Sequence, residues 1–301
     1  MIDGSRPLRD DADWWAVRRL LVGLFPLVPH GSVWDIRRWD GQRFHDDDPG
    51  SPTEVGPCRL WFAGGDLVGA AHSEGDPSLH LQVHPDHRHL EGEMIDWGME
   101  ELAEESGGVR RLLHDAYEDD LHRADLLEAR GFQRQEGRVV NRRRDLAEPI
   151  AVSPQPPGYL IRETTDDPGD CTRMAELLNA AFGRTFHTAA EYRGFIRNSP
   201  SFRHHLNLVA EARDGTFAAH VGFTLDEENR CGIVEPVCTH PGHRKRGLAL
   251  ALLLEGLRRL QHLGAVVATV ETGGAEGPNR LYQAAGFTAA RWGRVWEWKR
   301  R

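Results

Sequence analysis

A short basic turn in the second half of the chain has the residue types of a phosphate-binding site. Gly247 follows three basic residues, Arg244, Lys245 and Arg246. We predict that a strand ends shortly before this turn, near Val237, and that a long helix begins within it. Backbone N–H groups at a helix start lack intrahelical partners and lie at the positive end of the helix dipole. An isolated basic cluster is also typical of a solvent-exposed helix start, so the flanking residues must distinguish the two.

The elements around the turn predict an α/β fold. Leu250, Leu253, Leu254 and Leu257 follow helical spacing, and the run 265–270 is rich in β-branched residues. Another short helix is predicted near 278–285. Together with strand-like runs at 206–212, 217–225 and 232–237, this order predicts a mixed sheet flanked by helices.

A proline-rich segment divides the chain. Residues 148–158 contain four prolines, which exclude regular helix and favour an extended connector. We therefore predict domains at 1–147 and 159–301, joined by a linker at 148–158.

An internal repeat supports this division. Residues 84–88 (HPDHR) resemble 240–244 (HPGHR), displaced by 240 − 84 = 156 positions. Residues 126–132 (LLEARGF) resemble 281–287 (LYQAAGF), displaced by 286 − 131 = 155 positions. Two matches at nearly one offset indicate two copies of the same fold.

The basic turn resembles the coenzyme A motif of the GNAT superfamily of N-acetyltransferases. That motif is Gln or Arg, two residues, Gly, one residue, then Gly or Ala, and Arg244, Gly247 and Ala249 match it. The resemblance implies two tandem GNAT-like domains. It also implies that the whole turn, including Lys245, Arg246 and Leu248, binds acetyl-coenzyme A as a co-substrate.

The same resemblance implies roles for the strand before the turn. Backbone N–H groups of Val237, Cys238 and Thr239 take the place of those that contact the acetyl carbonyl and pantetheine, where they would stabilise an oxyanion. Glu235 is the first candidate for the general base that deprotonates the acceptor amine. It is equally typical of a strand glutamate paired with an arginine. Cys238 has no paired His and acid, so the sequence does not suggest an acyl-cysteine.

The segment Leu281–Phe287 matches the second family element, Leu-Tyr, three residues, Gly-Phe. The resemblance makes Tyr282 the candidate general acid for the leaving thiolate. A half-buried packing role is the alternative. Asn279 stands where related sequences often have an asparagine that contacts the coenzyme, but it is also suited to cap the short helix.

The first copy lacks these features. In the repeat register Gly247 corresponds to Glu91, Ala249 to Glu93, and Tyr282 to Leu127. Carboxylates would repel a pyrophosphate, and leucine cannot protonate a thiolate. We predict that the N-terminal copy is non-catalytic, with a structural or substrate-shaping role.

Composition and charge limit the classes of molecule that the chain is expected to bind. The net charge of −9 and the pI near 6.0 disfavour a nucleic-acid surface and favour cationic small molecules such as amines. The four cysteines lack a CxxC pair, so we expect no metal site and a reducing cytoplasm. The apolar stretch 20–28 contains Gly23 and Pro26, which suits neither a signal peptide nor a membrane span. We expect a monomer or homodimer.

Together these features predict an N-acetyltransferase that transfers acetyl from acetyl-coenzyme A to an amine by direct attack in a ternary complex. The acceptor is expected to be a small molecule. The alternative is a non-catalytic module that binds acyl-coenzyme A or has a regulatory role, and the positions of Glu235 and Tyr282 distinguish the two.

Overall fold

The computed structural model describes residues 2–31, 33–45, 56–75 and 77–301. Within these ranges the strands are β1 (Ile2–Pro7), β2 (Cys58–Ala63), β3 (Asp66–His72), β4 (Ser78–Val83), β5 (Glu104–Ser106), β6 (Val109–Tyr117), β7 (Gln133–Asp145), β8 (Tyr159–Glu163), β9 (Asn207–Ala212), β10 (Phe217–Asp226), β11 (Cys231–Thr239), β12 (Val267–Gly273) and β13 (Ala289–Arg300). The helices are α1 (Asp11–Leu24), α2 (Ile36–Phe44), α3 (Glu91–Glu101), α4 (Leu121–Ala129), α5 (Pro168–Phe182), α6 (Ala189–Asn198), α7 (Leu248–His262) and α8 (Glu276–Ala284). The predicted mixed α/β class is confirmed.

All these strands belong to one sheet. Its order is β1-β2-β3-β4-β6-β13-β7-β12-β11-β10-β9-β8, with β5 paired to β6 at one side. Most neighbours are antiparallel, while β4 with β6 and β11 with β12 are parallel. The apolar stretch 20–28 forms the end of α1 and a 3-10 turn, and among the described helices none is long and apolar enough to cross a membrane.

The two halves exchange their last strands. Strand β13, the last of the C-terminal half, pairs with β6 of the N-terminal half, and β7 of the N-terminal half pairs with β12 of the C-terminal half. Strands β7 and β13 also pair with each other. The domain boundary at 148–158 stays a prediction. Because of the strand exchange, each half needs a strand of the other half to complete its part of the sheet.

Three apolar clusters fill the layers between the sheet and its helices. One lies under α7 in the C-terminal half, and one lies under α3 and α4 in the N-terminal half, where Trp296 and Trp298 of β13 join it. The third combines Trp14 and Trp39 with Phe195 and Phe217, so that α1 and α2 pack against α5 and α6 across the two halves.

Helix α7 lies very close to the sheet. A Cβ added to Gly256 would overlap the ring of Phe223 on β10, and one added to Gly232 on β11 would overlap Leu260. Glycine at these positions therefore allows α7 to lie close against β10 and β11.

Candidate active site

The site begins where two parallel strands separate. Strands β11 and β12 pair only from Cys231 to Ile233, opposite Val267 to Thr269. Beyond that point β11 stays with β10, while β12 stays with β7. The separation leaves a gap between the second half of β11 and the end of β12, called the β11–β12 gap below, in which backbone groups of β11 have no strand partner.

Two N–H groups of β11 face this gap. His240 N donates to Ala218 O at 2.9 Å, and donor direction alternates along an antiparallel pair. Cys238 therefore directs its N–H toward β10, whereas Val237 and Thr239 direct theirs into the gap. This corrects the expectation for Cys238, which is not a backbone donor to a ligand.

The thiol of Cys238 is also unsuited to nucleophilic attack. Its side chain is buried, and burial raises the pKa of the thiol to about 12. Because the thiolate is the nucleophile, Cys238 is inert at neutral pH.

The basic turn leaves the start of α7 open. Lys245 and Gly247 both have left-handed backbone conformations, with φ of 61° and 75°. Gly247 is the N-cap residue and provides no side-chain cap. The first helical bond is Ala251 N to Gly247 O at 3.0 Å, so the N–H groups of residues 248–250 lack helical partners. Gly247 is exposed, and a Cβ added to it would meet nothing within 4 Å, so no neighbouring side chain covers the cap residue of α7.

Two of the three basic side chains shape this turn. Arg244 donates to Thr239 O at 3.5 Å and to Ala181 O at 3.3 Å. Arg246 donates to Tyr159 Oη at 2.8 Å and to Gly242 O at 3.3 Å. Both guanidinium groups stay exposed, so they add positive charge around the open helix start.

Glu235 lies on β11 at the edge of the β11–β12 gap and is half-buried. Its Oε2 atom is 3.9 Å from Arg38 Nη2. Burial raises the pKa of this carboxyl group, the carboxylates of Asp35 and Glu271 raise it further, and Arg38 and Arg37 oppose the rise. A carboxylate with a raised pKa is a better proton acceptor, as a general base requires.

Tyr282 lies on α8 with 5% of its surface exposed. Burial and then the negative charge of Glu235 raise the pKa of its phenol, so it stays protonated at neutral pH. Among the described residues its hydroxyl group has no hydrogen-bond partner, and its ring packs edge-on against Phe287 at 6.0 Å. The fold thus brings Glu235 and Tyr282, 47 positions apart (282 − 235), within electrostatic reach of each other.

Asn279 has a different place from the one its sequence position suggested. Its Oδ1 accepts from Arg142 Nε at 2.9 Å, and its Nδ2 donates to Gly273 O at 2.9 Å and Ala275 O at 2.7 Å. The side chain is buried and its amide hydrogens are both used. We therefore withdraw Asn279 as a coenzyme contact. It joins β7 of the N-terminal half to α8.

The N-terminal half contributes a group that sequence reasoning missed. Arg38, on α2, approaches Glu271 with Nη1 at 3.3 Å from Oε1, besides its contact with Glu235. Tyr117 of β6 donates to the other oxygen of Glu271 at 2.9 Å. Arg38 lies outside every recognisable motif, so no signal in the sequence singled it out.

A cavity of about 330 Å³ adjoins this group between the two halves. Residues of the N-terminal half that line it include Trp34, Arg38 and Tyr117, and those of the C-terminal half include Thr269 and Glu271. The cavity is within the size range of small-molecule sites.

Residues 171–287 match the model of a family described as Acetyltransferase (GNAT) family. These residues form a GNAT domain. The match includes Glu235, the basic turn and Tyr282, and it ends at Phe287. The match covers 117 of the 301 residues (287 − 171 + 1), and the family that it describes is one of acetyltransferases.

Solved structures resemble the whole chain. A GCN5-related N-acetyltransferase from Sphaerobacter thermophilus is 20% identical, with a TM-score of 0.68 over 98% of this chain and 95% of that chain. A tandem GNAT protein from the clavulanic acid biosynthesis pathway is 17% identical, with a TM-score of 0.64 over 98% of both chains. A GNAT-family acetyltransferase from Colwellia psychrerythraea is 13% identical, with a TM-score of 0.61 over 97% of this chain and 99% of that chain. At these identities the likeness shows the fold, which is that of a tandem GNAT protein. No curated protein matches the sequence.

In the N-terminal GNAT-like copy a carboxylate occupies the equivalent helix start. Glu91 is fully buried at the start of α3, and its two oxygens pair with Arg88 Nε at 2.6 Å and Arg123 Nε at 3.0 Å. Although burial raises the pKa of Glu91, the two guanidinium groups lower it to about 2. Glu93 accepts from Trp61 Nε1 at 2.9 Å, and Leu127 is fully buried. Both carboxylates at this helix start thus have partners within the chain.

Proposed function

We propose that the chain is an N-acetyltransferase with one catalytic site, in its C-terminal half, that transfers acetyl from acetyl-coenzyme A to an amine of a small-molecule acceptor. The observation that carries the proposal is the open start of α7 directly after β11. Glu235 lies on the same strand, and Tyr282 of α8 is near enough for the charge of Glu235 to raise its pKa. A base, an acid and an anion-binding helix start are the three protein groups that amine attack on a thioester needs.

Each group has a defined task in this proposal. The N–H groups of residues 248–250 bind the pyrophosphate, with Arg244, Lys245 and Arg246 around them. The N–H of Val237 donates to the acetyl carbonyl oxygen, where negative charge develops, and that of Thr239 donates to the pantetheine arm. Because these donors are fixed in β11, they need no reorganisation during the reaction.

Proton transfer is divided between the two side chains. Glu235 accepts the proton that the amine loses as its nitrogen bonds to the carbonyl carbon. Tyr282 donates its phenolic proton to sulfur as the carbon–sulfur bond breaks. The products are an amide and free coenzyme A, and transfer is direct because Cys238 is too basic and too buried to form an acyl-enzyme.

The cavity between the halves is proposed to hold the acceptor. Among the described lining residues the acidic groups outnumber the arginines: they are Asp35, Glu74, Asp115, Asp226 and Glu271, against Arg38 and Arg123. This excess favours a cationic amine. The size of the cavity favours a small molecule over a protein terminus, and we further propose a cytoplasmic monomer or homodimer.

A second candidate is an acyl-coenzyme A-binding or regulatory module without turnover. It is favoured by the burial of Tyr282, whose ring packs against Phe287 as a core residue would. In that case the residue would support the fold and not the reaction.

The two candidates differ in turnover. The whole chain is incubated with acetyl-coenzyme A and a panel of primary amines, and free thiol is measured together with the mass of the amine product. We expect amine-dependent thiol release that falls at least about 100-fold in Glu235→Gln and Tyr282→Phe. Tight binding of acetyl-coenzyme A without thiol release on any amine would favour the non-catalytic candidate.

A further inference from the structure

Three carboxylates and one arginine meet where α2 of the N-terminal half approaches β11 and β12 of the C-terminal half. Arg38 is the centre of this group. Its Nη2 is 3.9 Å from Glu235 Oε2, its Nη1 is 3.3 Å from Glu271 Oε1, and its Nε is 3.9 Å from Asp35 Oδ2. Each nitrogen of the guanidinium group therefore faces a different carboxylate.

We infer that Arg38 is a positioning residue of the acyl-transfer site, supplied by the N-terminal half, which holds Glu235 and Glu271 in place beside the acceptor cavity. The inference rests on the proposed function of Glu235. It gives the N-terminal half a task in catalysis although that half has no coenzyme site of its own.

Arg38 is itself held firmly. Asp35 caps α2 by accepting from Arg38 N at 2.8 Å, and the guanidinium group lies 5.1 Å from the ring of Trp34. On the far side Tyr117 fixes Glu271 by donating to its second oxygen. A planar guanidinium group with fixed neighbours orients carboxylates better than a flexible ammonium group does.

The charges around Glu235 explain why Arg38 affects its protonation. Arg37 and Arg38 face it from α2, Asp35 from the cap of that helix, Glu271 from β12 and Tyr282 from α8. Without Arg38, three carboxylates would stand together with weaker compensation. Glu235 would then hold a proton to higher pH and act as a base less often at neutral pH.

Arg38 also forms part of the acceptor cavity. Residues 33–36 and Arg38 line one wall, and residues 269–271 line another. Because the Arg38–Glu271 contact joins these walls, loss of the guanidinium group is expected to loosen the cavity as well as to alter the base. Coenzyme binding, which depends on the start of α7, is expected to stay the same.

The direct test measures the titration of Glu235 in the whole chain. Protein labelled with 13C at the glutamate carboxyl groups is titrated by NMR, and the Glu235 signal is identified by its absence in Glu235→Gln. We expect Arg38→Gln to raise the midpoint of that signal by about one pH unit, since an opposite charge at this distance shifts a carboxyl pKa by that order. Arg38→Lys retains the positive charge and should bring the midpoint part of the way back to the wild-type value.

Arg111→Gln is the matched control. Arg111 of the N-terminal half donates from Nε to Glu297 of β13 at 2.8 Å. The substitution therefore removes an arginine–glutamate pair between the halves that is distant from Glu235 in the sheet. In Arg111→Gln the titration midpoint of Glu235 should equal that of the wild type. An unchanged midpoint in folded Arg38→Gln, or an equal shift in Arg111→Gln, would overturn the inference. If Arg38→Gln does not fold, the charge-preserving Arg38→Lys decides, because a positioning role predicts a displaced midpoint there too.

A kinetic arm separates this inference from the proposed function. With an amine accepted by the wild type, Arg38→Gln should move the acidic limb of the kcat/KM profile to higher pH and lower kcat at least about 10-fold, while acetyl-coenzyme A affinity stays within about twofold. Equal profiles for both proteins would contradict the positioning role. Absence of transfer by the wild type would refute the proposed function, whereas the NMR titration would still decide whether Arg38 controls Glu235.

Discussion

The starts of α7 and α3 stand at equivalent places in two copies of one fold, and they treat negative charge in opposite ways. At α7 the cap residue is Gly247, and the space around its Cα is open. At α3 Glu91 is fully buried between Arg88 and Arg123. One helix start is open to an anion from outside, and the other already contains one as part of the protein.

The comparison shows that a carboxylate of the protein itself can occupy a helix start that is open to an external anion in the other copy. A carboxylate supplies the negative charge that a phosphate would supply, and the surrounding arginines keep a partner without any ligand. The N-terminal copy supplies Arg38 to Glu235, and its strand β7 pairs with β12 of the C-terminal half. The N-terminal half therefore affects the C-terminal half through these contacts, independently of any ligand of its own.

Gly247→Glu copies the N-terminal feature into the C-terminal half, and it has the largest expected effect. Acetyl-coenzyme A affinity, measured by calorimetry, should fall at least about 1,000-fold, because a carboxylate would repel the pyrophosphate and the left-handed backbone is strained for a side chain. The thermal unfolding temperature should change by only a few degrees.

Gly264→Glu is its control. Gly264 also has a left-handed backbone, with φ of 90° and no atom within 4 Å of an added Cβ, but it follows the other end of α7. It should bind acetyl-coenzyme A like the wild type. Equal losses in both variants would mean that strain, and not the blocked helix start, causes the effect.

Glu91→Gln tests the internal anion. Replacing a fully buried, doubly paired carboxylate should lower the free energy of unfolding by about 3 kcal/mol at pH 7, because Arg123 loses its charged partner and Arg88 keeps only Asp120. The pKa of Glu91 is lowered from 4.5 to about 2, so its stabilisation is complete above pH 4.5 and is lost as the pH falls toward 2. The difference between variant and wild type, measured by urea unfolding, should therefore shrink below pH 4.5.

Glu128→Gln removes an exposed pair with Arg134 and serves as the matched change. It should alter the free energy of unfolding by less than about 0.5 kcal/mol. If Glu91→Gln were equally harmless, the carboxylate would not be what holds the start of α3 together.

Tyr282→Phe sharpens the comparison at the second element, where the N-terminal copy has Leu127. The phenylalanine keeps the packing against Phe287 and removes only the hydroxyl group. We expect kcat to fall about 100-fold while acetyl-coenzyme A affinity stays within about twofold. A loss of affinity or stability without a fall in kcat would assign Tyr282 to the core.

Cys238→Ala has the smallest expected effect. Its thiol is buried and its N–H is directed at β10, so we expect neither to take part in transfer. Steady-state kinetics should give kcat within about twofold of the wild type, with a cost of about 1 kcal/mol in unfolding free energy. Abolished transfer, or an acetylated Cys238 in the mass spectrum, would contradict direct attack.

The sequence was sufficient where the chemistry is local. The helix pattern from Leu250 to Leu257 predicted α7, and the motif from Arg244 to Ala249 predicted its open start. The repeat register also predicted that Glu91 is the residue of the N-terminal copy that corresponds to Gly247. These features depend on residues close together in the chain.

Features that depend on distant pairing were not predictable in the same way. The exchange of β7 and β13 requires both halves to be folded, and the direction of the Cys238 N–H follows from the register with β10. The side chain of Asn279 accepts a hydrogen bond from Arg142, which is 137 positions away in the sequence. Arg38 reaches Glu235 only because α2 packs across the two halves.

The number of acetyl-coenzyme A molecules bound per chain tests the central claim most directly. Calorimetry on the whole protein should give a stoichiometry of one, because the start of α7 is open and that of α3 contains Glu91. A stoichiometry of two would show that the buried carboxylate does not exclude the coenzyme, and no binding would contradict the assignment of Gly247 and the basic turn to a coenzyme site.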